Sequence, residues 1–144
     1  MSIMDRIRKD EPFLKGVDHV AIIVKNMDMS IKFYSEVLGM VVVYDGRKDG
    51  GEKKSFLGIK EKAFVALTEN PDKDTENKIS ESVSHIAFRV ENVEKSRETL
   101  ESRGVEFTKE KTGADGKTKA YHFLDPDGLE LEIYGGTGEI TPAY

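Results

Sequence analysis

The stretches "VDHVAIIVKN" at residues 17–26 and "VSHIAFRVEN" at residues 83–92 are near copies, 66 positions apart, with a histidine third in each. Self-similarity on this scale means two copies of one supersecondary unit, neither able to bury its apolar face alone. The chain has 144 residues and 3 histidines, so two of the three stand at equivalent points of the repeat. That placement calls for a structural or chemical reason.

The pattern around each copy is the same. The first half reads as strand ("VDHVAIIV"), helix ("MDMSIKFYSEVLG"), strand ("MVVVYDG"), then strands near "EKKSFLGI" and at "KAFVALTE". The second half restarts with strand ("VSHIAFRV"), helix ("VEKSRETLESRG") and strands at "VEFTKE", "KTKAYHFLD" and "GLELEIYG". Met27, Ile31, Tyr34 and Leu38 fall at helical spacing and Gly39 follows as a stop. Each half is therefore βαβββ, and the fold class is α+β. Module one is expected over 16–69, a polar linker over 70–82 and module two over 83–136. An extension at 1–15 and a tail at 137–144 flank this single domain.

Side chains alternate along a strand. Val20, Ile22 and Val24 share the face a covering helix would want, as do Ile86, Phe88 and Val90. His19, Ala21 and Ile23 share the other face, as do His85, Ala87 and Arg89. In the last strand Leu129, Leu131 and Ile133 oppose Glu130, Glu132 and Tyr134. Two imidazoles and one carboxylate form a recurring divalent-metal triad, provided the two sheets curve so that the ligands converge. A polar strand face also reads as solvent-exposed surface, with Glu130 and Glu132 ordinary surface residues.

Composition narrows the alternatives. No run of 18 apolar residues exists, so no membrane span is expected. The first residues, "MSIMDRIRKDEP", are too charged for a secretory signal, and a cytoplasmic address is expected. A net charge of −5 with no long basic run argues against nucleic-acid binding. The absence of cysteine excludes disulfides, thiolate metal sites and cysteine nucleophiles.

The paired histidine strands, the "FYSEVLGM" helix end and above all "FLDPDGLELEIY" resemble the glyoxalase, bleomycin-resistance and extradiol-dioxygenase superfamily, the vicinal oxygen chelate superfamily. The resemblance covers roughly residues 16–136. It implies tandem βαβββ modules with curved mixed sheets around a cavity, and metal ligands at His19, His85 and Glu132, the side chains the parity pattern also marks. One divalent ion per site is implied, and the triad accepts Fe, Mn, Ni, Co or Zn. The offset of 66 that carries His19 to His85 carries Ala66 to Glu132. Alanine cannot bind metal, so three protein ligands and open positions are expected, as in a catalytic site. This differs from a standard glyoxalase I.

His122 lies ten residues before Glu132, where three-ligand members commonly hold a tyrosine; Tyr121 is one residue off, and such a slip reverses its face. His122 is a candidate general acid or base, or else fills a polar spot on a strand. In the first reading all three histidines line one cavity. Arg89 and Tyr134 are candidates for holding an anionic substrate. The fosfomycin-modifying pattern is incomplete: Ala21 stands where a threonine is usual, and no arginine follows the glutamate strand. Two functions stay open. One is a metal-dependent enzyme acting on a small substrate with vicinal oxygens, of lyase, isomerase, dioxygenase or thiol-transferase type. The other is a protein that sequesters a small molecule, as bleomycin-resistance proteins do. Exposed sheet edges favour a homodimer, and the resemblance implies one in which His19 of one chain joins His85 and Glu132 of another, the alternative being a site within each chain.

Overall fold

The computed structural model describes residues 13–14, 16–48, 53–60, 62–70 and 83–135. The expected extension, linker and tail therefore fall outside it, apart from residues 13, 14 and 70.

Module one contains β1 (Val20–Val24), α1 (Met27–Lys32), β2 (Val41–Asp45), β3 (Lys54–Ile59) and β4 (Lys62–Glu69). Module two contains β5 (Ile86–Arg89), α2 (Val93–Ser102), β6 (Phe107–Thr112), β7 (Thr118–Leu124) and β8 (Glu130–Tyr134). The sheets have the same order, β1-β4-β3-β2 and β5-β8-β7-β6. In each, the first and last strands of the module pair in parallel and the other pairs are antiparallel. Two mixed four-stranded sheets of matching topology are the tandem βαβββ arrangement.

The repeat extends to the helix starts. Asn26 and Asn92, again 66 apart, cap the two helices: Asn26 Oδ1 accepts from Met29 N at 3.1 Å and Asn92 Oδ1 from Lys95 N at 3.0 Å. Each satisfies an N–H that the first helical turn leaves without a partner. The two helices then differ. The pattern predicts one helix over 27–39, but α1 gives way at Phe33–Val37 to a π-helical turn, closed by Leu38 N donating to Phe33 O at 3.1 Å. Ser35 Oγ donates to Ile31 O at 2.6 Å, a local bond that competes with the helical ladder. Gly39, at φ +77°, ends the segment in a conformation other residues rarely adopt.

The face assignment holds. Ile22 and Val24 are buried while Ile23, between them, is 61% exposed. Met27, Ile31 and Tyr34 from the first helical segment join Leu57, Val65 and Leu67 below sheet one, and the same core continues through Leu100, Phe123, Leu131 and Ile133 of module two.

The modules are also joined by a polar latch. Within the "DPDG" turn, Asp125 Oδ1 accepts from the N–H groups of Asp127 and Leu129 at 2.8 and 2.9 Å. Its Oδ2 accepts from the Tyr34 hydroxyl of module one at 2.8 Å. Asp127 Oδ1 accepts from Lys25 N at 3.0 Å. Tyr34 and Asp125 are buried. Burial pushes the Asp125 carboxyl above its ordinary range against the pull of its three donors. Burial, reinforced by the Asp125 charge, raises the Tyr34 phenol.

Candidate metal centre

The cross-strand register builds the centre. Glu132 on β8 pairs with His122 on β7, and on its other side with Ala87 on β5; His85 lies two residues before Ala87. Period-two alternation puts all three polar side chains on one face of sheet two. His85 Nε2 stands 2.7 Å from Glu132 Oε2, and His122 Nε2 stands 3.3 Å from the same oxygen. The two imidazole rings meet edge to face at 5.0 Å. His122 is 0% exposed and Glu132 2%, while His85 is half-buried, so the cluster runs from the interior toward the surface.

Each imidazole has a second partner. Ser84 Oγ lies 2.9 Å from His85 Nδ1. Glu130 Oε1 lies 2.7 Å from His122 Nδ1. Burial raises the Glu130 carboxyl, but the hydrogen bond from His122 and the charge of Lys109, 3.5 Å away, outweigh it and hold the group below the ordinary range. Glu130 Oε1 is placed to accept from Nδ1–H, and in the neutral ring with that tautomer Nε2 presents a lone pair. That Nε2 is buried and makes no hydrogen bond; its approach to Glu132 is too poorly aligned to be one.

A buried, orphaned nitrogen facing a carboxylate oxygen, beside a second imidazole, is a cation-seeking arrangement. Imidazole nitrogens and a carboxylate are donors that divalent transition metals take. Donor atoms of His85, His122 and Glu130 also lie within 4.8 Å of one another. The residues present therefore fit a divalent ion.

His19 has an analogous setting in module one. Its Nδ1 is 2.7 Å from Asp18 Oδ2 and its ring packs edge-on against Phe56 at 6.3 Å. It lies just before β1 of the other sheet, and its described contacts within the chain are with module one. A cavity of about 880 Å³ between the modules is lined by His19, Phe64, Arg89, Leu100 and Arg103 among others, but not by His85, His122 or Glu132. Within one chain the three histidines thus do not share that cavity. Arg89 and Tyr134 are cross-strand partners two residues beyond Ala87 and Glu132, on the same face as the cluster by parity. Tyr121 points to the opposite face, where its hydroxyl donates to Glu94 at 2.6 Å.

Sequence reasoning placed His85 and Glu132 together and left His122 open. The partnerships of Glu130 and Ser84 were not foreseen. The offset of 66 could also have shown that Phe56 is the counterpart of His122: Phe56 pairs with Ala66 as His122 pairs with Glu132.

Residues 16–133 match the Glyoxalase/Bleomycin resistance protein/Dioxygenase superfamily. The chain belongs to this superfamily. Among relatives of this superfamily member is lactoylglutathione lyase of Schizosaccharomyces pombe, 34% identical over 143 residues; the match takes in 81% of this chain and 46% of that protein, so the chain spans about half its length. Metallothiol transferase FosB of Shouchella clausii is 30% identical, with 86% of this chain and 82% of that protein covered. The fold is shared with a crystal structure of a variant of fosfomycin resistance protein FosX from Listeria monocytogenes, complexed with Mn(II) and 1S,2S-dihydroxypropylphosphonic acid (TM-score 0.63, 24% identity, covering 88% of this chain and 94% of that one).

Proposed function

We propose that the protein is a divalent-metal-dependent enzyme acting on a small substrate that reaches the ion through vicinal oxygens. The observation that carries this reading is the convergence of His85 Nε2 and the buried His122 Nε2 on one buried oxygen of Glu132. His85 and Glu132 would hold the ion in module two, with His19 as a further ligand supplied by the equivalent strand of module one. When bound, the ion acts as a Lewis acid toward substrate oxygens. The chain's own work is to fix the donors: Glu130 holds the proton on His122 Nδ1, Asp18 accepts from His19 Nδ1, and Ser84 backs His85. Arg89 and Tyr134 bind the anionic end of the substrate.

Module one leaves Ile23, Val41, Val43 and Tyr44 substantially exposed. A second copy of the chain covers this apolar surface in a homodimer and brings its own His85 and Glu132 to His19. The Mn(II) in the FosX structure and the metallothiol chemistry named for FosB support an ion in this fold.

Metal analysis of untagged protein tests the reading. One divalent ion per chain is expected, and Glu132→Ala should lose it while keeping a native circular-dichroism spectrum. Substrate trials spanning lyase, isomerase, dioxygenase and thiol-transfer chemistry then assign the reaction. Metal-free protein that takes up no added Mn(II), Ni(II) or Zn(II) would instead favour the small-molecule-sequestering reading.

A further inference from the structure

We propose that His122 is a direct metal ligand, so that His85, His122 and Glu132 form a three-donor site inside module two, with Glu130 as its positioning residue. This rests on the metal reading above and goes beyond it: the ion is retained by a single chain, and His19 is not required to hold it.

Three observations carry the proposal. The first is orientation. The Glu130 carboxylate 2.7 Å from Nδ1 holds the ring so that Nε2 stands 3.3 Å from Glu132 Oε2. His122 Nε2 is buried, makes no hydrogen bond and lies beside a carboxylate oxygen, so it is a polar atom that a cation would satisfy. The carboxylate behind the ring is the arrangement that orients an imidazole toward a metal and raises its basicity.

The second is spacing. Donors about 2.1 Å from an ion stand about 3.0 Å apart at right angles and about 3.4 Å apart in a tetrahedron. The observed separations from Glu132 Oε2, 2.7 Å to His85 Nε2 and 3.3 Å to His122 Nε2, lie around those values.

The third is the repeat. Positions 85, 122 and 132 of module two correspond to 19, 56 and 66 of module one, each by the offset of 66. Both modules bring these positions together through the same register. Module two fills them with His, His and Glu; module one with His, Phe and Ala. Of two equivalent sets of positions, one has three donors and the other has one.

The test is binding of Mn(II) and Co(II) to the full chain by equilibrium dialysis and calorimetry, with Co(II) visible absorption reporting the ligands. His122→Phe mimics module one; His122→Gln keeps an amide for Glu130 should the phenylalanine variant fail to fold. Either folded variant should bind the ion at least about tenfold more weakly and change the Co(II) spectrum, whereas His19→Ala should stay within a few-fold of wild type. Glu130→Gln should weaken binding about tenfold and shift the Co(II) bands with its thermal unfolding unchanged, a signature that a merely structural role would not give. If wild type binds and the His122 variants bind equally well with unaltered spectra, or if His19→Ala alone abolishes binding, the single-module site is overturned and the broader metal reading stands. If wild type binds no ion, both fall.

Discussion

A carboxylate in an interior depends on the donors that face it, and Asp125 shows how closely they are counted. Its two oxygens take two backbone N–H groups and the Tyr34 hydroxyl. Tyr34→Phe keeps the ring in the core and removes one donor, leaving Oδ2 unsatisfied. The expected cost is about 1–3 kcal/mol, read from urea denaturation. Because burial already raises the Asp125 carboxyl, the penalty should be largest at neutral pH, where the group is ionised, and shrink in acid as it protonates. A penalty that is absent, or that grows in acid, would mean Asp125 is neutral or solvated. Some individual positions were legible in the sequence. His19, His85 and Glu132 stand out because strand alternation is a fixed geometric rule, and His85 and Glu132 do meet. The partners of His122 and His85 were not legible, because rotamers choose between Glu130, Ser84 and solvent, and no periodicity encodes a rotamer.

Arg47 ties three elements of module one together. It lies in the short 3₁₀ turn after β2, clasps Asp45 at the end of β2 with two guanidinium bonds of 2.9 and 2.7 Å, and reaches Asp28 in the first turn of α1 at 2.8 Å. The Arg47 side chain, aided by its backbone N–H and its charge, holds the Asp45 carboxyl down to about 2. An unfolded aspartate titrates near about 3.9. The folded carboxyl is therefore the stronger acid, so its stabilisation is complete above about pH 4 and disappears as pH falls through about 2. Asp45→Asn should flatten the acid limb of a stability–pH curve measured by denaturant titration. An identical slope in variant and wild type would show that solvent has screened the clasp. The elements themselves were largely readable: β4 spans the predicted 62–69, and the other strands lie within or close to their segments. The exception is the end of the first helix, where the Ser35 hydroxyl diverts a carbonyl and the ladder widens into a π turn. Apolar spacing does not register such a change, since the same residues stay buried.

At the scale of the molecule, the duplication made the architecture legible, because two copies of one pattern demand two copies of one sheet. The contacts that fix one module against the other were not legible: the Tyr34–Asp125 and Lys25–Asp127 bonds join residues 91 and 102 positions apart. The proposed homodimer belongs to this scale as well. A His19→Ala chain mixed with a Glu132→Ala chain, under conditions where subunits exchange, should regain catalytic turnover in mixed dimers if module one of each chain completes the centre of the other. Proven exchange without recovery, or a monomer by sedimentation, would sink that arrangement. Phe56 and Ala66 give the duplication its asymmetry. Two halves drawn on one backbone template carry different chemistry at matching positions, polar donors in one and apolar side chains in the other. On the proposed reading, replacing residues 56 and 66 should therefore leave the hold on an ion unchanged, so the apolar half can vary without cost to the polar one.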